Sequence, residues 1–488
     1  MAVTSRRSSR RLTFTVLAAG AGFFAMLQSL ITPVLPTIQQ DLHTSQNTVT
    51  WILTAYLLSA SIFTPILGRI GDMVGKERML VVSLAALALG CLVAAVAPNI
   101  GVLIVARVVQ GIGGGVFPLS FGIIRDEFPA ARVSSAVAAI SAVVAVGGGL
   151  GVVLAGPIVD SLNYRWLFWI PMVVVGLTAV VAYLFVPPSP VRRPGRVDWR
   201  ATLLLSGWLV ALLLPISQGG AWGWTSAWVL GLLALAVVLL VGWLVAEVRS
   251  PNPLIDMRMM RLPGVWTTNL VALLYGASMF SVYAFLPQFV QTPTVAGYGF
   301  GATIGQSGLL LLPMLVAMFV AGLAASRLQA VFSAKAQLAT GAMFNVVAAA
   351  MLAVAHDARW QIGIAGGLMG LGIGLAFASM ANLIVASVPA NQTGAATGMN
   401  ANIRTIGGAI GAAVVSGVIT ANPQANGLPR EAGFTTGFLV LTGIALAAAL
   451  AALAVPSARR ASADRRPTTT TVVESEVAGE LTPVHATR

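Results

Sequence analysis

The chain predicts an all-α integral membrane protein with fourteen transmembrane helices, grouped as two six-helix bundles around a two-helix central insertion. Three observations carry this. Apolar residues make up 57% of the 488 and charged residues 9%, whereas a soluble chain carries about a quarter charged residues. Runs of ~20 apolar residues, enough to cross a bilayer as a helix, recur fourteen times. Basic residues collect at every second loop between those runs, the asymmetry of a multi-pass protein. Lipid offers peptide groups no hydrogen-bond partner, so each run must satisfy itself as a helix. The short alternating segments of a membrane β-barrel are absent.

In chain order the spans fall at about 14–37, 48–68, 79–98, 101–124, 134–158, 166–186, 201–218, 225–246, 265–290, 303–327, 335–355, 359–386, 397–420 and 434–455. Residues 1–13 form a basic N-terminus with Arg6, Arg7, Arg10 and Arg11, and residues 14–186 hold the first six spans. Arg69, Lys76 and Arg78 follow the second span, and Arg125 and Arg132 the fourth. Residues 187–264 contain the prolines 187, 188 and 190, the basic stretch Arg192, Arg193, Arg196 and Arg200, and two extra tryptophan-rich spans. Arg249, Arg258 and Arg261 then lead into the second six spans, residues 265–455. Arg327 and Lys335 separate the tenth and eleventh spans, and Arg459 and Arg460 follow the last. The polar tail, residues 456–488, reads as disordered. The intervening loops are nearly bare of basic residues. Both termini are therefore expected in the cytoplasm.

The net charge of +13 does not call for nucleic acid, because the arginines lie at loop positions rather than on one soluble face. The lipid bilayer is the expected partner. The single cysteine, Cys91, excludes an intramolecular disulfide. His43, His356 and His485 are scattered along the chain, which argues against a metal site, and no cofactor is expected. No nucleophile–base or metal constellation points to an enzyme. Arginine outnumbers lysine 26 to 2, which fits a GC-rich bacterial source; helical spans in a bacterium are expected in its inner membrane.

Arg107 stands out. It interrupts an apolar run with no acid nearby, and a charge at bilayer depth is costly enough to suggest function. Gln110, one turn on, shares its face. The pair can bind an anionic substrate group, or act through water with Asp41 or Asp160 at the outer mouth. Equally, the guanidinium can cap carbonyls of a neighbouring helix. Arg404, with Asn400 and Asn402, is a second candidate, although its place near an inner helix end also permits snorkelling. Gln28, Tyr56, Asn269, Tyr275 and Gln288 are polar points that can line a cavity or bond between helices. Gly366, Gly370 and Gly374 recur on one face of the twelfth span, which suits close helix packing.

The loop after the second span reads Gly68, Arg69, Ile70, Gly71, Asp72, Met73, Val74, Gly75, Lys76, Glu77, Arg78. Asp72 can pair with nearby cations or a helix N-terminus and so latch two helices at the inner side. The alternative is a solvated basic loop that only fixes topology. This pattern resembles the signature G-x-x-x-D-x-x-G-x-[RK]-[RK] of the major facilitator superfamily, with Glu77 at one usually basic position. Arg107 to Gly113 is similar to the R-x-x-Q-G-x-G motif of that family's fourteen-helix drug:proton antiporter branch. The segments 51–56, 164–168 and 402–411 resemble further motifs of the branch. The resemblance covers roughly residues 12–455.

Two departures stand out. The acid usual in the first span of that branch is missing, and no Asp or Glu lies at mid-depth in any span. In the fifth span the Gly-Pro pair is displaced: Gly151 is followed by Val152, and the nearest such pair is Gly156-Pro157. The resemblance implies a monomeric secondary transporter with a site between two halves that rock around it. It implies export of a drug-like or secondary-metabolite small molecule in exchange for protons. The rival readings are a facilitator or importer of an anionic metabolite, and a membrane sensor that does not transport. Arg107, Gln110, Arg404, Gln28, Tyr56 and Asn402 are the expected transport and coupling residues. Gly68, Gly71, Asp72, Gly75 and Arg78 are the expected inner gate, and Gly151, Gly156 and Pro157 the expected fifth-span motif.

Overall fold

In the computed structural model, residues 10–189, 198–250, 253–329, 331–389, 392–422, 424 and 428–456 are described. Arg6, Arg7, Pro190, Arg192, Arg193, Arg196, Arg459, Arg460, His485 and the tail expected to be disordered lie outside these residues. Fourteen helices among the described residues are long and apolar enough to cross a membrane.

The first half comprises α1 (Arg10–Ser29), α2 (Gln46–Val74), α3 (Lys76–Ala95), α4 (Ile100–Gly111 continued by Val116–Glu127), α5 (Ala130–Ser161) and α6 (Trp166–Phe185). The insertion comprises α7 (Trp199–Trp222) and α8 (Ala227–Arg249). The second half comprises α9 (Pro263–Gln291), α10 (Ile304–Leu328), α11 (Ala334–Val354), α12 (Arg359–Ser387), α13 (Thr393–Thr420) and α14 (Glu431–Ala454). Side-chain caps mark several starts: the oxygens of Ser45, Asn99, Asp198, Ser226, Thr303 and Ser333 each accept from a backbone N–H of the first turn. Such caps satisfy donors that a helix cannot pair itself. Exposed apolar side chains such as Leu177, Val238 and Leu450 clothe the outside, as a lipid-facing surface requires.

Three spans differ from their sequence outlines. The first ends as a helix at Ser29; a 3-10 turn at Thr32–Val34 and a short helix at Leu35–Asp41 continue it. Thr32-Pro33 cannot extend an α-helix without losing a backbone bond. The fourth is broken by a 3-10 turn at Ile112–Gly115, where three successive glycines lower helix stability. The fifth runs past its expected limits, and Pro157 sits inside it, close to its end at Ser161.

Within each half the helices pack pairwise, α1 on α5, α3 on α6, α9 on α13, and α10 and α11 on α12. The halves meet along two seams, α5 against α10 and α2 against α13. Helix α7 lies over the second seam. Its Leu205 and Leu209 share one buried cluster with Ile66 of α2, Ile384 of α12 and Ile406 of α13. Ser217 and Gln218 at its far end bond to Thr54 of α2, at 2.5 and 3.2 Å. Helix α8 is the outermost element, and most of its surface is exposed.

Candidate transport site

Successive spans reverse direction, so the loop between α2 and α3, with Lys76 and Arg78, and the end of α4, with Arg125, share one face, called the basic face below. The opposite, bare face carries the α1–α2 and α11–α12 loops. Between the halves lies a cavity of about 210 Å³. Helices α1, α2, α4 and α5 line it from one half and α9, α12 and α13 from the other. Leu53 and Leu57 of α2 face Ala409 and Ala412 of α13 across it, on the bare side of the molecule's middle. Farther toward the basic face the same two helices close. A Cβ on Gly68 would lie 3.1 Å from the Gly394 carbonyl oxygen, and one on Gly398 would lie 3.4 Å from that of Thr64. The Asn402 amide donates to the Ser61 carbonyl across the seam at 2.5 Å.

The lining is mainly apolar, with Phe24, Phe117, Phe280 and Phe377, plus polar points at Gln28, Ser61, Tyr283 and Asn402. Among the described residues, Arg404 is its one ionisable side chain of either charge apart from the phenol of Tyr283. The guanidinium carbon lies 4.5 Å from the centre of the Phe377 ring. Phe117, Val144, Phe377, Ala401 and Arg404 also line a second cavity of about 30 Å³, which reaches toward Thr397 and Ile384 on the basic side. Arg404 and Phe377 therefore sit at the partition between the two spaces.

Of the six residues expected to carry transport, Gln28, Asn402 and Arg404 line the cavity, and Arg107, Gln110 and Tyr56 do not. Arg107 is fully buried in the first half. Its Nε donates to the Ile52 carbonyl at 3.1 Å, Nη1 and Nη2 donate to the Leu27 carbonyl at 3.2 and 3.3 Å, and Nη1 donates to Gln110 Oε1 at 2.7 Å. The Tyr56 ring centre is 4.1 Å away. Leu27 belongs to the last turn of α1, whose carbonyls lack intrahelical partners and carry the negative end of the helix dipole. That answers how a cation is accommodated without an acid. The Tyr56 hydroxyl donates to the Phe24 carbonyl at 2.9 Å, and the Gln110 amide reaches Cys91 Sγ at 3.6 Å. Arg107 thus ties α1, α2 and α4 together, and Gln110 adds α3. The expectation of direct substrate contact does not fit this conformation, because the fork is already filled by protein acceptors.

At the basic face the expected gate residues cluster around a lysine. Lys76 Nζ lies 2.7 Å from Asp126 Oδ2 of α4 and 3.5 Å from Asp72 Oδ1 of α2. All three side chains are buried. The Asp72 carboxylate also faces the first turn of α13: a Cβ on Gly394 would lie 3.2 Å from it. A carboxylate at a helix N-terminus is favoured by the dipole. Gly75 has φ of +130°, and a Cβ there would meet the Glu77 carboxylate at 2.7 Å, so the turn from α2 to α3 needs glycine. Gly71 makes room for Leu119 of α4. Arg78, expected in the latch, is exposed and, among the described residues, approaches only Glu77, at 3.8 Å. Glu77, the departure from the family signature, instead accepts from the Ser189 backbone N–H at 3.0 Å, which holds the segment after α6 against this loop. Arg125 crosses between the halves: its Nη1 donates to the Val385 carbonyl at 2.6 Å and to Thr393 Oγ1 at 2.8 Å. Lys76, Asp126 and Arg125 were not singled out as gate residues by the sequence. The signal available was an Arg-Asp pair ending an apolar span.

The fifth-span residues serve helix contacts. Gly151 lies against the last turn of α1, where a Cβ would come 2.5 Å from the Met26 carbonyl oxygen. Gly156 lies against Gly305 of α10 at 2.7 Å by the same measure. Pro157 follows in the same turn. Gly370 and Gly374 of α12 likewise abut the backbone of α10 at Met314 and Met318. Tyr275 bonds to the Gly372 carbonyl, and Asn269 accepts from Asn400, so both act between helices. One of the scattered histidines has acidic neighbours. On the bare face, donor atoms of His356, Asp357 and Glu431 come within 4.8 Å of one another. There His356 Nε2 meets Glu431 Oε1 at 3.2 Å, and Nδ1 meets the Leu352 carbonyl at 2.6 Å.

Comparison with known proteins agrees with this architecture. Residues 17–412 match the Major Facilitator Superfamily. The Multidrug transporter protein MdtP of Bacillus subtilis (strain 168) is 27% identical, over 88% of this chain and 81% of its own length. The Tetracenomycin C resistance and export protein of Streptomyces glaucescens is 28% identical, over 86% of this chain and 77% of its own. The Methylenomycin A resistance protein of Streptomyces coelicolor is 29% identical, over 83% and 85%. Among solved structures, that of the human organic anion transporter MFSD10 (TETRAN) superimposes with a TM-score of 0.66, covering 91% of this chain and 100% of that one. At 16% identity this shows the fold alone.

Proposed function

We propose that this chain, which belongs to the Major Facilitator Superfamily, exports a drug-like or secondary-metabolite small molecule by alternating access through the cavity between its halves. It is a multi-pass membrane transporter and not an enzyme. The observation that carries the proposal is the pairing of a mainly apolar central cavity with a charged, hydrogen-bonded closure at the basic face. Leu53 and Ala412 line the cavity toward the bare face, while Arg125, Asn402 and the Asp72–Lys76–Asp126 cluster hold the basic side shut. The basic face is taken as cytoplasmic by the positive-inside rule, with both termini there, in a bacterial inner membrane. The inner side is then the closed one. The transporting unit is proposed to be a monomer. Export is supported by relatives whose names speak of resistance and export.

Proton exchange is the proposed energy source. Among the described residues the cavity lining supplies no carboxylate or histidine, so the proposed proton site is the gate, where Asp72 and Asp126 share Lys76 and any change in charge bears directly on closure. Arg404, Gln28 and Asn402 are the proposed substrate contacts. The test is transport of a panel of labelled amphipathic compounds in proteoliposomes, with and without an imposed pH gradient. Gradient-dependent movement that Ala412→Trp blocks by filling the cavity supports the proposal. Transport that Ala412→Trp leaves untouched places the route elsewhere and overturns it.

A further inference from the structure

We infer that the substrate is an amphipathic anion, bound with its charged group at Arg404 and its apolar body toward the bare face. This rests on the central cavity being the substrate site. The two arginines at membrane depth are in opposite situations. Arg107 spends its donors on two carbonyls and an amide. Arg404 has no hydrogen bond or ion pair to the protein among the described residues; its one specific contact is the face of Phe377. A ring face compensates a desolvated guanidinium only weakly, whereas a carboxylate, sulfonate or phenolate offers acceptors that match its planar fork.

The surroundings select by charge as well. Among the described residues, no Asp or Glu lines either cavity that Arg404 borders. A lipophilic cation entering the central cavity finds no counterion and meets a like charge where dielectric screening is poor. A neutral molecule is tolerated, and an anion gains. The lining also orients it. Arg404 lies at the partition, whereas Phe24, Phe280 and Tyr283 line the space beside it and offer ring faces to an apolar body.

Three dansyl probes share one fluorophore and differ in charge: dansylglycine is an anion, dansylamide is neutral and dansylcadaverine is a cation. Binding is read in lipid nanodiscs as protection of a reporter cysteine, Ala409→Cys in a Cys91→Ser background, from a maleimide. Dansylglycine is expected to protect at concentrations about tenfold lower than dansylamide, with dansylcadaverine weakest, since a charge-assisted bond discriminates by about that factor. Arg404→Gln should bring dansylglycine to the level of dansylamide without weakening dansylamide. Arg404→Lys, which keeps the charge but not the fork, should retain part of the preference. Protection by the cation equal to or better than the anion overturns the inference, as does an unchanged preference in Arg404→Gln, or protection by none of the three. If the charge order holds but no probe crosses the membrane of proteoliposomes, the export reading fails and the anion site stands.

Discussion

Replacing Arg107 with alanine should loosen the first half before it touches transport chemistry. The side chain serves three acceptors in a fully buried setting, and removal strands the Leu27 carbonyl at the end of α1 and Gln110 Oε1. Each buried group left unsatisfied costs about 1–3 kcal/mol. The void left by the truncated side chain adds to this. A total of at least about 3 kcal/mol follows, equivalent to roughly a hundredfold in an opening equilibrium. The protein carries its own reporter, because Cys91 is the only cysteine, is fully buried and touches the Gln110 amide at 3.6 Å. The rate at which a thiol-reactive dye labels Cys91 under native conditions measures opening at this spot. Arg107→Ala should raise that rate roughly a hundredfold, and Arg107→Lys by less, since lysine keeps the charge without the planar fork. If Arg107→Ala labels at the wild-type rate and melts at the wild-type temperature yet no longer transports, the tie between helices is not its role. It would then act directly in transport.

Asp72→Asn should leave expression near normal, because Lys76 keeps Asp126 at 2.7 Å. It should reduce export about tenfold by weakening the charge at the start of α13, a loss of roughly 1–2 kcal/mol; full export by a well-expressed variant would refute the latch. Gly75→Ala forces φ of +130° on a residue with a Cβ and should cost about 1–3 kcal/mol, read as a lower melting temperature; an unchanged melt would mean the turn relaxes freely. In a Cys91→Ser background, Gly220→Cys should react with impermeant maleimide only from outside the cell and Arg258→Cys only from inside. Labelling of both from one side would undo the α7–α8 hairpin.

The spans were legible because a bilayer imposes a length and polarity rule on each segment independently. Breaks within spans were less so: the glycine run 113–115 and Pro33 were visible, but their consequence depends on what packs beside them. Arg107 was conspicuous as a charge, and carbonyl capping was one of its readings, but the partners were hidden, because the backbone carbonyls of Leu27 and Ile52 carry no sequence signature. The lysine cluster was hidden for a different reason. Asp126 lies 50 residues from Lys76, and only the packing of α4 against α2 and α3 joins them. His356 and Glu431 meet across 75 residues in the same way. Arg404 was visible on an apolar helix; that it faces the cavity depends on the rotation of α13, which the even apolarity of that helix conceals.

Reciprocal exposure of the two cavities tests the central claim most directly. Ala409→Cys reports the central cavity and Thr397→Cys the smaller one on the basic side, each in a Cys91→Ser background and labelled by impermeant maleimide in right-side-out and inside-out vesicles. In the otherwise native chain, Ala409→Cys should react from outside while Thr397→Cys stays protected from inside. Releasing the gate with Asp72→Asn and Arg125→Ala together should speed labelling of Thr397→Cys and slow that of Ala409→Cys. Rates that rise together, or do not change, would contradict alternating access through this cavity.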